Sequence, residues 1–548
     1  MRVTHRLLSL LAIGALFTAV ALAKPTSAAS QVNWDPVADG YPQTAAEENG
    51  FSAHTRHLEM WDYLEELREV SSDMRLGTYG QTREGRDLAY AVFSRPLVVE
   101  PWEAMALGKP IVLFAANVHG GERTFREGLM ILMRDLATPG TDANAMLDQV
   151  TVVVAPQINP DGFEATVRGQ RGNSWGIDLN RDYVKLEHPT IQNYVQNLIG
   201  AWRPHLLIDG HNGGARPYNL NYQCTSHYDS AIELTLACDD HIFPAIDAKL
   251  ESEGLRAWYY SGGDEEEWNT GGSQVRIGRN YGGMINGVAI LFEAPQQELE
   301  VGARAGYLGY YATLEWVAQN GEQLVNTVNT ARAETIAMGA APSGKIAVAM
   351  EYAAEGYPVD YTIVRGGGFN AEPGETVDTI EVTGARLMKK PVAIQLRDRP
   401  WAYLLPRDAE DAVALLLRHG ITVERLIEPV SLEVQAYTVE DVTHERQYNH
   451  SAVTRIQVGE VVTQTRDFPT GTYVVPTAQN LGRLVTHMLE VETEDNVVYW
   501  NTMDAWVPRP GAPQAGRGRG NANAGPPLSP IFKLMLPANL KASMVEAR

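Results

Sequence analysis

His119 and Glu122 stand three residues apart in Asn117-Val118-His119-Gly120-Gly121-Glu122, with two glycines between them. A glycine-containing turn lets both side chains point toward one ion, and a remote His211 completes a set of three protein ligands. Two imidazoles and one carboxylate with an open fourth position form a catalytic zinc arrangement. Water bound there is acidified and can attack a carbonyl at neutral pH. One zinc ion per chain is expected. Asp209 and Asn212 flank His211 and are placed to orient its ring. Further polar groups follow in Asn159-Pro160-Asp161-Gly162, in Asp178-Leu179-Asn180-Arg181 and at Glu293.

These residues need elements to bring them together. Ile111–Ala116, Val150–Ala155, His205–Ile208 and Val288–Phe292 are short apolar runs with little alternation, as strands buried on both faces of a mostly parallel sheet require. Leu88–Phe93 reads as another strand. Amphipathic helical stretches at Arg123–Leu136, Pro189–Trp202 and Ala231–Glu253 lie between the runs, and Trp61, Leu64 and Leu67 mark a helix before them. Alternating strands and helices predict a three-layer α/β/α sandwich with a mixed, mostly parallel sheet. The polar groups then fall at carboxyl ends of strands, where open α/β sheets place their ligand sites.

Taken in order, the motifs resemble the zinc carboxypeptidases of the A/B type. The resemblance runs over about 75–300, through Gly85-Arg86 in Thr82-Arg83-Glu84-Gly85-Arg86, His119-x-x-Glu122, Asn159-Pro160-Asp161-Gly162, Arg171, Asp178-Leu179-Asn180-Arg181, His211 and Glu293. It implies that His119, Glu122 and His211 hold zinc and that Glu293 is the general base, then the acid toward the leaving amine. It further implies that Arg171 stabilises the oxyanion, with Arg168 competing for that place. Asn180 and Arg181 would bind the terminal carboxylate of a peptide, which a guanidinium fork grips bidentately. The expected substrates are therefore peptides with a free C-terminal carboxylate. Asp182 stands where the family commonly shows asparagine.

The family also carries a substrate-covering tyrosine. Tyr281 is the leading candidate, with Tyr259 and Tyr260 as alternatives. The specificity pocket is expected to be lined by the segment before Tyr281. That segment offers Arg276 and Arg279, which would favour acidic terminal residues, and Asp264 to Glu267, which would favour basic ones. Two other functions suit the same ligands: a zinc amidase of N-acyl amino acids or peptidoglycan stem peptides, and a binding module with a degenerate site. The remaining histidines lack comparable spacing and are read as surface or packed residues.

The whole chain sets the frame. Its 548 residues carry 45 Lys and Arg against 67 Asp and Glu, a formal charge of −22, which argues against nucleic acid as a partner. Two cysteines, Cys224 and Cys238, exclude a disulfide-dense scaffold. Whether they pair is left open. Arg2 and Arg6, an apolar stretch from Leu7 to Leu22, and small residues ending near Ala23 or Ala28 and Ala29 read as a signal peptide, which predicts a periplasmic or secreted protein. No later run is long enough to span a membrane. The expected division is a signal over 1–29, a catalytic domain over 30–335, an α+β or β accessory domain over 340–507, and a low-complexity linker and tail over 508–548. Trp401-Ala402-Tyr403-Leu404-Leu405-Pro406 and Tyr499-Trp500-Asn501 resemble the C-terminal extension of large secreted bacterial members of the family.

Overall fold

The computed structural model describes residues 32–165, 171, 176–367, 372–373, 375–446, 452–508 and 527–546. The expected signal over 1–29 and Arg168 lie outside the described residues. The central sheet has eight strands, in the order Met74–Gln81, Asp87–Phe93, Thr151–Ala155, Ile111–Ala116, Leu206–Asn212, Val288–Ala294, Leu220–Cys224 and Ala257–Tyr259. The four central strands pair in parallel, as does Leu220–Cys224 with Ala257–Tyr259, while the remaining pairs are antiparallel. The sheet is therefore mixed. Two of the central parallel strands are buried throughout: every residue of Ile111–Ala116 and Thr151–Ala155 is buried, as covering on both faces demands.

Alternate side chains of these strands feed two cores. Val112, Phe114, Val152, Ile208 and Phe292 pack with the helices Thr124–Ala137 and Leu299–Ala340 on one face. Leu113, Ala115, Val153, Leu207 and Ala289 pack on the other face with Tyr194, Tyr281 and Met284, and this core continues into Tyr403, Leu416, Leu484 and Trp500. The C-terminal region thus shares a core with the sheet face it covers. Among the described residues no helix is long and apolar enough to cross a membrane.

Two expectations about organisation need correction. Near 335–340 the chain continues through the helical stretch Leu299–Ala340, kinked at Asn320, into a second sheet. That sheet takes Ser261–Gly263 and Glu267–Thr270 from the catalytic segment and joins them to Thr379–Asp398 and Lys345–Ala354. Strand pairing therefore crosses the expected boundary. Nor is everything after 508 a tail. In the third, seven-stranded sheet Phe532–Leu534 lies between Val430–Glu445 and Ala402–Leu405, and Ala542–Met544 lies at one end. The Pro- and Gly-rich composition of 508–527 hid two short strands beyond it, one inserted between two others and one at the end of the sheet. Cys224 and Cys238 form a disulfide.

Candidate active site

The site begins where strand Ile111–Ala116 ends. Asn117 takes a left-handed conformation, φ 62°, which asparagine tolerates better than most residues. Its Nδ2 donates to the carbonyls of His119 and Glu122, each at 2.8 Å. The loop so held presses on the Asn159–Gly162 turn. A Cβ on Gly120 would lie 2.1 Å from the Gly162 carbonyl carbon, so only glycine fits there. Asn159 Nδ2 donates to Val118 O at 3.1 Å. Asp161 accepts from Thr82 Oγ1 at 2.8 Å and from Arg86 Nη1 at 2.6 Å. The Thr82–Arg86 and Asn159–Gly162 motifs are thus a bracket for the loop that carries His119 and Glu122.

Strand register supplies the distant partners. Leu206–Asn212 and Val288–Ala294 are parallel neighbours, and Glu293 stands opposite His211. Asp209, two residues before His211, projects to the same side, and its Oδ2 lies 3.0 Å from His211 Nε2. Asp178 Oδ1 holds His119 Nε2 at 2.9 Å. With both Nε2 atoms engaged by carboxylates, both Nδ1 atoms face Glu122. Glu122 Oε2 lies 2.8 Å from His119 Nδ1 and 2.9 Å from His211 Nδ1, and the two Nδ1 atoms are 3.1 Å apart. Asn212 orients Glu122 through its backbone N–H, at 3.1 Å from Oε2, and not the His211 ring.

This donor set fits a zinc ion. Two imidazole nitrogens, which would ligate in their neutral form, and a carboxylate oxygen converge, slightly closer than the ~3.3 Å that tetrahedral ligands keep around zinc, and each ring is fixed from behind by a carboxylate. Burial disfavours charge on Glu122, yet the two imidazoles outweigh it and hold this carboxyl well below its usual range. Burial acts likewise on Asp178, where His119 and the guanidinium of Arg171 lower the carboxyl. Glu293 differs. Burial pushes it up to about 7, against the pull of His211, His119 and Arg171. A carboxyl raised above its ordinary range by burial suits proton transfer.

Most of the other expected site residues gather here. Arg171 donates through Nε to Asp178 Oδ2 at 2.8 Å and through Nη1 to Glu122 Oε1 at 3.2 Å, and its side chain is half exposed. Asn180 Nδ2 lies 3.5 Å from His211 Nε2 and its Oδ1 accepts from Gly278 N at 2.9 Å. Arg181 donates to the Asn180 carbonyl at 2.9 Å.

Tyr281 does not join them. It sits on the short helix Gly278–Met284, is 2% exposed, and donates through its hydroxyl to His419 Nδ1 at 2.9 Å. The helix turns that face toward the C-terminal region, so Tyr281 is an interface residue. Tyr260, one of the two alternatives, is half-buried, with its phenol raised by burial and by the nearby Glu293 charge. Tyr259 is committed to Asp239 at 3.0 Å. Asp178 was not singled out as the partner of His119, because a contact between two loops leaves no mark in spacing. A second histidine grouping, His227, Asp229 and His487, is buried where the C-terminal region meets the catalytic segment. His227 Nδ1 accepts from Asp229 N at 3.1 Å, Asp229 accepts from Ala347 N at 3.0 Å, and Arg483 donates to the Asp229 carbonyl. His227 and Asp229 belong to an interface network, and both ring nitrogens of His487 are buried there without a hydrogen-bond partner among the described residues.

Residues 60–205 match the family model described as zinc carboxypeptidase. The matched span holds His119, Glu122 and Arg181 and stops short of His211 and Glu293. Over 481 residues the chain is 25% identical to carboxypeptidase 2 of Trichophyton equinum, covering 82% of this chain and 84% of that protein. It is 32% identical to carboxypeptidase D of Drosophila melanogaster over 156 residues, 25% of this chain and 10% of that one. Among solved structures, carboxypeptidase A from Helicoverpa armigera aligns with a TM-score of 0.38 at 16% identity, over 49% of this chain and 75% of that chain.

Proposed function

We propose, from the premise that this chain belongs with the zinc carboxypeptidases, that it removes the C-terminal residue of peptides. The observation that carries this reading is the strand register that sets Glu293 beside His211 on the edge where Arg171, Asn180 and Arg181 converge. His119, Glu122 and His211 would hold zinc, which supplies an acidified water and a Lewis acid for the scissile carbonyl.

The remaining steps belong to the chain's own residues. Glu293 takes a proton from the attacking water and returns it to the leaving amine. Arg171 is half exposed and stabilises the developing oxyanion. Arg181, positioned through the Asn180 carbonyl, grips the terminal carboxylate, with the Asn180 amide beside it. Tyr260 covers the bound residue. Asp178 and Asp209 are positioning residues that fix the two imidazoles.

A matched panel of peptides with free and amidated C-termini tests the reading, together with Glu293→Gln. Release of one terminal residue from free peptides only is expected, with kcat lowered by about 10²–10⁴-fold in the variant. Equal cleavage of amidated peptides would favour a general amidase. Export to the periplasm or medium is part of the proposal. The Cys224–Cys238 disulfide supports it, since such bonds persist in oxidising compartments. A mature protein that still begins at Met1 would refute it.

A further inference from the structure

The two charge sets that could line the specificity pocket have different fates. Asp264 turns its carboxylate onto the backbone N–H groups of Glu266 and Glu267, at 2.8 and 3.0 Å, and Glu267 pairs with Arg386 at 2.8 Å. Arg276 is fully buried and pairs with Glu494 and Asp495 while donating to Tyr499 at 3.1 Å. Glu265 and Glu266 are exposed, whereas Arg279 is buried at 5% exposure.

Like those of the buried Arg399 and Arg483, its guanidinium is held by backbone carbonyls, and unlike them it lies beside Glu293. Nη2 donates to the carbonyls of Gly271 and Gly272, the latter at 2.6 Å, and Nε is buried with no hydrogen-bond partner. No carboxylate forms an ion pair with Arg279 among the described residues. The acid in its field is the catalytic Glu293. By contrast the buried Arg134 has Glu47 at 2.7 Å. An unpaired buried guanidinium is costly, and an arriving carboxylate relieves that cost.

The position is also right. Arg279 follows Gly278, whose N–H is bonded to Asn180 Oδ1 beside the terminal-carboxylate holders. It shares its field with Arg181, Tyr260 and Glu293. The loop that anchors it is rigidly braced: Gln223 binds both the N–H and the carbonyl of Gly271, and Asn280 Nδ2 donates to Gly272 O at 3.2 Å. Tyr352, on the strand Lys345–Ala354, reaches over from the second sheet. Its hydroxyl lies 2.8 Å from Ser226 Oγ and donates to Gly272 O at 3.2 Å. These walls are polar, and a second cation close to Arg181 repels basic side chains.

We propose that Arg279, with Tyr352 beside it, forms the subsite for the terminal side chain and selects a carboxylate, so that the enzyme releases C-terminal glutamate and aspartate. This rests on the carboxypeptidase reading. The test is kcat/KM on N-blocked tripeptides that end in Glu, Asp, Gln, Leu or Lys. Glutamate is expected to exceed its isostere glutamine by at least about a hundredfold, because the buried cation is left unpaired by the amide. Arg279→Gln collapses that ratio toward one, Arg279→Lys restores its direction, and Tyr352→Phe lowers it partially. If Arg279→Gln does not fold, the wild-type ranking and Tyr352→Phe still decide. A preference for Leu or Lys, or an Arg279→Gln variant that slows every peptide alike, overturns the proposal. Failure to release a terminal residue from any peptide would instead defeat the carboxypeptidase reading.

Discussion

At the scale of single residues, the site works by close approach. Gly213 follows the ligand strand, and a Cβ there would lie 2.6 Å from Glu293 Oε2. The group displaced would be the carboxylate proposed as the general base, with no backbone in the way. Gly213→Ala is therefore expected to keep its thermal stability yet lose about a hundredfold in kcat, the cost of shifting a reacting group by roughly an ångström. Steady-state kinetics beside a thermal melt separates the two effects. That His119, Glu122, His211 and Glu293 come together was legible in the sequence, because side chains of these types ending strand-like runs invite one shared site. The ring-holding roles of Asp178 and Asp209 were legible only in part. Asp209 is a strand neighbour of His211 with period two, whereas Asp178 reaches His119 across space.

At the scale of elements, the parallel strands were the clearest. Ile111–Ala116 appears with the bounds its apolar run predicts, and Leu206–Asn212 and Val288–Ala294 extend their runs into the polar site residues. Leu220–Cys224 escaped notice because Asn221 and Gln223 interrupt its apolar pattern for structural reasons, bonding the Trp258 carbonyl and Gly271. The helix Gly278–Met284 points Tyr281 away from the site for which it was the leading candidate. Its buried face carries Tyr281 to His419, whose Nε2 in turn donates to Val184 O at 2.9 Å. Tyr281→Phe should therefore cost about 1–3 kcal/mol of stability by leaving His419 Nδ1 without its donor. Peptide hydrolysis should be unchanged, and a fall in kcat with no change in melting temperature would restore Tyr281 to the site.

At the scale of the molecule, the C-terminal region is built into the catalytic body. Arg276 crosses to Glu494 and Asp495, Asn286 donates to the Asn480 carbonyl at 2.7 Å, and Tyr352 brings the second sheet to the candidate pocket. Phe532–Leu534 lies inside the seven-stranded sheet and buries Phe532 and Leu534 in its core. Truncation after Val507 would strip that strand and leave the edges of Ala402–Leu405 and Val430–Glu445 unpaired. The shortened chain should be aggregated or rapidly digested by added protease. A soluble, protease-resistant and fully active product would show that the last strands are dispensable.

The amino-acid order alone determined the donor set, the sequence of motifs and the α/β architecture. Metal ligands are chemically irreplaceable, and strands covered on both faces must be continuous apolar runs. Folding in three dimensions decided which carboxylates grip the imidazoles, that Tyr281 turns to His419, that Arg279 is held by the Gly271 and Gly272 carbonyls, and where residues 532–544 return. Each of those outcomes depends on register and on packing between segments hundreds of residues apart, and neither is encoded in local spacing.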